Sequence, residues 1–193
     1  MIEAFFASGA VVALAEIGDK TQLLALVLAS RFRRPVPIVG GMLVATLANH
    51  AVAGALGAAL GGALESPWFR GLVAASFFAV AAWALLPDRL DGGASRYIRG
   101  GLGAFAATLI AFFIVEIGDK TQVATVALAA HYRELVPVVA GTTLGMIAAN
   151  LPVVFLGEAV TKRVPERAVR AAAAALFVLM GVLALAGVGS LSR

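Results

Sequence analysis

Apolar residues run along this chain in long stretches, not in the alternating or single-stripe patterns of half-buried strands and helices. Six stretches, near 3–30, 36–60, 67–87, 101–130, 136–157 and 168–189, meet the roughly 20 residues a helix needs to cross a hydrocarbon core. The interruptions carry charge and turn signals: Arg31-Phe32-Arg33-Arg34-Pro35, Glu65-Ser66-Pro67, the segment from Pro87 to Gly101, His131-Tyr132-Arg133-Glu134, and Lys162 through Arg167. The pattern predicts an all-α membrane protein of six transmembrane helices with short connections and no extramembrane domain.

The chain also matches itself. With a shift of about 100 positions, Glu16 through Gln22 repeats unchanged as Glu116 through Gln122. The match continues ungapped through Ala29/Ala129, Arg33/Arg133, Pro37/Pro137, Gly41/Gly141 and Gly57/Gly157, and fades in the third helix. Residues 1–90 are then one three-helix repeat, 91–100 a short cytoplasmic connection, and 101–193 a second repeat. Three spans per repeat is an odd number, so the second repeat must enter the membrane from the opposite side. Such inverted repeats are related by a pseudo-two-fold axis in the membrane plane, which would set the two heptapeptides face to face.

Composition agrees with lipid as the main solvent: 61% of residues are hydrophobic, 13% are charged, and the mean hydropathy is +0.96. Cysteine is absent, which removes disulfides and thiolate metal sites. The net charge of +4 does not point to nucleic acid, because the basic residues lie in short connections and not on one face. Arg31, Arg33, Arg34, Arg89, Arg96, Arg99, Lys162, Arg163, Arg167 and Arg170 fall on one side of the six-span scheme, and only Arg70, Arg133 and Arg193 on the other. The positive-inside rule puts the first set in the cytoplasm and both termini outside. The first stretch reads as a retained helix and not a signal peptide, because Glu3 opens it and Glu16, Asp19 and Lys20 interrupt it.

Those interruptions carry the chemistry. A charge at mid-membrane costs at least about 2.5 kcal/mol, and the repeated heptapeptide places Glu16, Asp19 and Lys20, then Glu116, Asp119 and Lys120, at that depth. On a continuous helix Glu16, Asp19 and Lys20 stand at i, i+3 and i+4, one patch with the ammonium beside the carboxylates. Gly18 and Gly118 permit either close helix approach or a local break that frees backbone carbonyls. Thr21, Gln22, Thr121 and Gln122 add neutral oxygens. Four converging carboxylates without thiolates suit a hard divalent cation such as Ca²⁺ or Mn²⁺. Four carboxylates against two ammoniums leave a deficit that one divalent cation or protons would cancel, the minimum requirement for cation/proton antiport.

Other polar residues have two readings each. Lys20 and Lys120 are mobile counter-charges or permanent salt-bridge partners. His50, at the position of Asn150 in the second repeat, either supports the ligands and relays protons or is a hydrogen-bonded packing histidine, while His131 reads as a loop residue. The motif as a whole could instead be a polar clamp between helices, but apolar packing would do that at lower cost. Gly57 with Gly61, and Gly141 with Gly145, read as close-packing seams. Glu65 and Glu158 read as interfacial, and Trp68, Trp83 and Tyr97 as interface anchors or bundle packing.

Two copies of Glu-x-Gly-Asp-Lys-Thr in a six-span chain of this size resemble the GDT1 family, also called UPF0016, over essentially the whole chain. The resemblance implies secondary transport of Mn²⁺ and Ca²⁺ in exchange for protons, with bacterial members similar to manganese exporters. It places the cation-binding acids on Glu16, Asp19, Glu116 and Asp119, with Lys20, Thr21, Lys120 and Thr121 completing the motifs and no resident cofactor. The connection from Asp88 to Gly101 lacks the longer regulatory loop of some eukaryotic members. Both ions accept the same oxygens, and it is the compact, Arg-rich, loopless chain, similar to bacterial members, that makes Mn²⁺ export across a bacterial inner membrane the expected function and Ca²⁺/proton antiport the alternative. Two other classes compete: an intramembrane aspartyl protease, whose Gly-x-Gly-Asp sequence is not met because Glu16 stands two residues before Gly18, and a passive cation channel, which inverted repeats with paired charges fit less well.

Overall fold

The computed structural model describes residues 1–61, 66–87, 103–157 and 165–187, in which every regular element is an α-helix. The eight described helices are α1 (Ile2–Glu16), α2 (Lys20–Phe32), α3 (Pro35–Gly61), α4 (Pro67–Ala84), α5 (Ala104–Glu116), α6 (Lys120–Tyr132), α7 (Leu135–Leu156) and α8 (Glu166–Ala186). By length and composition α3, α4, α7 and α8 can each cross a membrane. The expected connection at 91–100 lies outside the described residues, as do Glu65, Tyr97 and Glu158.

The stretches 3–30 and 101–130 are not the continuous spans that their hydropathy predicts. Each is two helices, broken at the heptapeptide, and the cause is local. Ile17 and Ile117 leave the helix in extended backbone, and Gly18 and Gly118, at φ +79° and +73°, complete a turn closed by the Asp19 and Asp119 N–H groups on the Glu16 and Glu116 carbonyls at 3.0 Å, a conformation that glycine adopts without a Cβ penalty. Asp19 and Asp119 then take extended backbone and cap the next helix. The second ends also repeat: Arg33 and Arg133 close α2 and α6 in the left-handed region at φ 50° and 54°. Ser66 followed by Pro67 starts α4, where a proline loses nothing because the first helical N–H has no acceptor.

Packing is reciprocal between the halves. α1 lies along α7 as α5 lies along α3, and α2 touches α7 as α6 touches α3. Glycines make the close approaches possible: a Cβ on Gly141 or Gly145 would meet the carbonyls of Phe5 or Gly9 on α1, and one on Gly57 would meet the Val126 carbonyl on α6. These are the seams the sequence suggests. The reciprocity fails at α4 and α8, which pack on each other and then on α6 and α1 respectively, with no comparable contact to α5 or α2. Two apolar clusters result. One joins α1, α4, α6 and α8, with Val138 at the start of α7, around Phe77 and Phe177; the other joins α2, α3, α5 and the rest of α7 around Phe112, Leu28 and Met42. Along both broken segments the heptapeptide is where the chain passes from one cluster to the other.

His131 is not a loop residue. It sits in the last turn of α6, buried against the Phe77 ring at 6.3 Å, because the helix runs two residues further than the cluster of polar residues suggests. Trp68 is 82% exposed, and so is not bundle packing.

Candidate cation site

The heptapeptide repeats build one buried polar centre from four helix ends. Glu16 and Glu116 are the last residues of α1 and α5, and Asp19 and Asp119 cap α2 and α6. All four carboxylates are buried. The helix breaks overturn the expectation of an i, i+3, i+4 patch, since Glu16 and Lys20 belong to different helices. Each lysine instead reaches across to the other motif: Lys20 Nζ lies 2.8 Å from Asp119 Oδ1, and Lys120 Nζ lies 2.5 Å from Asp19 Oδ1.

The second oxygen of each aspartate serves its own helix. Thr21 donates its hydroxyl to Asp19 Oδ2 at 3.4 Å. Thr121 donates its backbone N–H and its hydroxyl to Asp119 Oδ2 at 3.4 and 3.2 Å. Asp119 thus caps its helix start through a backbone N–H, whereas Asp19 holds only the Thr21 hydroxyl and makes no side-chain cap; in both, the other oxygen faces the opposite repeat's ammonium, which is how a buried charge stays tolerable. Gln22 and Gln122 hold the breaks shut. Gln22 Oε1 accepts from Gly18 N at 3.0 Å while its amide donates to the Ala149 carbonyl on α7 at 3.1 Å. Gln122 Oε1 accepts from Gly118 N at 2.7 Å.

The two glutamates differ. Glu116 accepts from the Thr46 hydroxyl at 2.7 Å and from the Asn49 amide at 3.1 Å, both on α3. Neither oxygen of Glu16 accepts a hydrogen bond from any described residue. The register explains this: the counterparts of Thr46 and Asn49 on α7 are Met146 and Ala149, whose side chains carry no donor. Thr46 and Asn49 were not among the residues expected here, although a threonine and an asparagine one turn apart in an apolar stretch, next to His50, are a legible polar face.

His50 and Asn150 are both buried. The Asn150 amide donates to the Met146 carbonyl at 3.1 Å, while the His50 ring nitrogens have no hydrogen-bond partner among the described residues.

The acids gather without yet forming a coordination shell. Asp19, Asp119, Glu116 and Lys120 all act electrostatically on Glu16, as Asp119 and Lys20 do on Glu116. Among the described residues, however, no three acidic or imidazole side chains are disposed to share one ion. The lysines occupy one oxygen of each aspartate.

The sequence profile of a family described as "Divalent cation/proton antiporter GDT1" matches residues 4–92 and 104–190. A Vibrio cholerae protein named "Putative manganese exporter" is 49% identical over 172 residues, covering 89% of this chain and 84% of its own length. "GDT1-like protein 5" of Arabidopsis thaliana is 27% identical, with 96% of each chain covered. "GDT1-like protein sll0615" of Synechocystis is 28% identical, covering 95% of this chain and 97% of its own. No solved structure matches the chain.

Proposed function

The chain belongs to the GDT1 family of divalent cation/proton antiporters, and from that premise we propose that it exports Mn²⁺ from the cytoplasm in exchange for protons through the crossed heptapeptide site. It is a membrane transporter and not an enzyme. The observation that carries the reading is the reciprocal ion pairing of Lys20 with Asp119 and Lys120 with Asp19. An arriving cation takes the aspartate oxygens from the lysines, and Glu16 and Glu116 supply further oxygens. Four carboxylates and two ammoniums carry a net charge that one Mn²⁺ balances outbound and protons balance on return, so neither stroke moves an uncompensated charge through lipid. The broken helices contribute as well. Carbonyls at the α1 and α5 C-termini carry the negative end of the helix dipole at the site.

The packing supports alternating access between two repeats of opposite orientation. Residues 1–90 and 101–193 form the two repeats, and each broken segment counts as one of six spans. With both termini outside, α1 and α6 are the outer halves of their spans, and these are the halves that α4 and α8 cover. The ammonium of Met1 bonds Glu134 at 2.7 Å, which fits the N-terminus and the α6–α7 turn lying on one side. The name of the Vibrio cholerae relative favours Mn²⁺ over Ca²⁺ as the exported ion.

The test follows metal and protons together in sealed proteoliposomes carrying an internal pH indicator. An imposed Mn²⁺ gradient should drive protons the opposite way, and a parallel Ca²⁺ gradient should drive fewer. Mn²⁺ movement with no proton movement would sink the reading.

A further inference from the structure

We propose that Met146 sets the ion preference of the site: its thioether joins the carboxylates around the transported cation and favours Mn²⁺ over Ca²⁺. The inference rests on the cation/proton antiport proposed above and names the residue that tells one divalent ion from the other.

Met146 is fully buried on α7, and its Sδ lies 3.0 Å from the Thr46 hydroxyl, the same hydroxyl that stands 2.7 Å from Glu116 Oε1. A hydroxyl has one proton to give, and a carboxylate is the stronger acceptor. Thr46 therefore donates to Glu116, and the sulfur's lone pairs remain available one hydroxyl away from that carboxylate. Met146 also bears on the other glutamate. It occupies on α7 the register position that Thr46 holds on α3, the position whose side chain bonds Glu116, and the two oxygens of Glu16 accept no hydrogen bond from any described residue. The observed thioether thus stands one hydroxyl away from Glu116 in an otherwise oxygen-lined centre. Its backbone is held as well, through the Asn150 amide on its carbonyl.

The chemistry separates the two ions. Ca²⁺ is a hard cation that takes about six to eight oxygens, so a position filled by sulfur is a ligand lost to it. Mn²⁺ shares the preference for oxygen but, as a first-row transition ion, also binds sites with nitrogen and sulfur donors, so it loses less than Ca²⁺ does where one ligand is a thioether. Selectivity is a difference of two affinities, and a ligand that is neutral for one ion and unfavourable for the other is enough to produce it.

The experiment compares Met146→Leu, which keeps the bulk and removes the sulfur, with Met146→Thr, which supplies the oxygen of the first repeat. Initial rates of radioactive Mn²⁺ and Ca²⁺ uptake are measured in one proteoliposome preparation of each, and their ratio is independent of how much protein is folded. The Mn²⁺/Ca²⁺ ratio is expected to fall on the order of tenfold in Met146→Leu and further in Met146→Thr. An unchanged ratio in both overturns the proposal. If turnover is lost, the same ratio is read from Mn²⁺ bound to the purified protein, followed by electron paramagnetic resonance under Ca²⁺ competition: displacement by less Ca²⁺ than in the native chain supports the role, and identical competition removes it. Failure of the antiport reading is distinguishable, because it would appear in the native protein as metal flux without protons.

Discussion

Lys120 of the second repeat holds Asp19 of the first at 2.5 Å, and Lys20 returns the contact to Asp119 at 2.8 Å, so the two halves are joined by a pair of crossed charges in the middle of the molecule. The two pairs are unequal in burial: the Lys120 side chain is 4% exposed and that of Lys20 is 23% exposed. Removing one partner of a buried pair strands the other charge, at a cost of about 3 kcal/mol or more. Lys120→Met should therefore lower the thermal unfolding midpoint in detergent more than Lys20→Met, because the partly exposed Lys20 ammonium makes the better-screened and weaker pair. Equal midpoints would mean that burial does not govern the strength of these pairs.

Glu116 offers a second comparison. When its carboxylate is ionised, its bonds to Thr46 and Asn49 are charge-assisted and worth about 1.5–3 kcal/mol each. Thr46→Val should destabilise the protein by about that amount and raise the Mn²⁺ concentration for half-maximal transport, because the carboxylate loses its fixed position. Ala149→Asn, which gives α7 the donor that α3 has, should lack the destabilising effect of Thr46→Val if it reaches Glu16. Melting curves and concentration dependence of uptake check both.

The helix breaks and the glycine seams should respond differently to alanine. Gly118 is constrained by its φ of +73° alone, with open space where a Cβ would go, so Gly118→Ala costs the left-handed strain of about 1–2 kcal/mol. Gly141→Ala drives a Cβ onto the Phe5 carbonyl and must push α1 away from α7. Gly141→Ala should then be the more damaging of the two in stability and uptake, and the reverse order would contradict the packing.

Much of this was legible in the sequence. The repeat, the buried acids and the small-residue seams at Gly57, Gly141 and Gly145 follow from residues visible in the one-dimensional pattern. The breaks were half legible: Gly18-Asp19 is a helix stop followed by a helix cap, but the unbroken hydropathy on both sides outweighs it in any window long enough to find a span. The crossed lysines were not legible, because i, i+4 spacing suggests a partner on the same helix and only the break turns Lys20 towards Asp119. The burial of His131 follows from α4 folding back over α6, a long-range contact that leaves no local mark.

Orientation has a clean chemical test because the chain has no cysteine of its own. Ser30 and Ser66 are both exposed, at the end of α2 and the start of α4. In intact cells a membrane-impermeant maleimide should label Ser66→Cys and spare Ser30→Cys until the membrane is permeabilised. The opposite pattern would reverse the assignment of both termini to the outside.

The central claim is that metal and protons share the two buried glutamates, and it is tested most directly by Mn²⁺-driven proton movement in proteoliposomes of Glu16→Gln and Glu116→Gln beside the native chain. Glutamine keeps the shape and loses the charge, so each variant should lose both Mn²⁺ and proton movement while remaining folded. Native rates of exchange in both variants would contradict the account and leave the crossed motifs as a clamp between two halves.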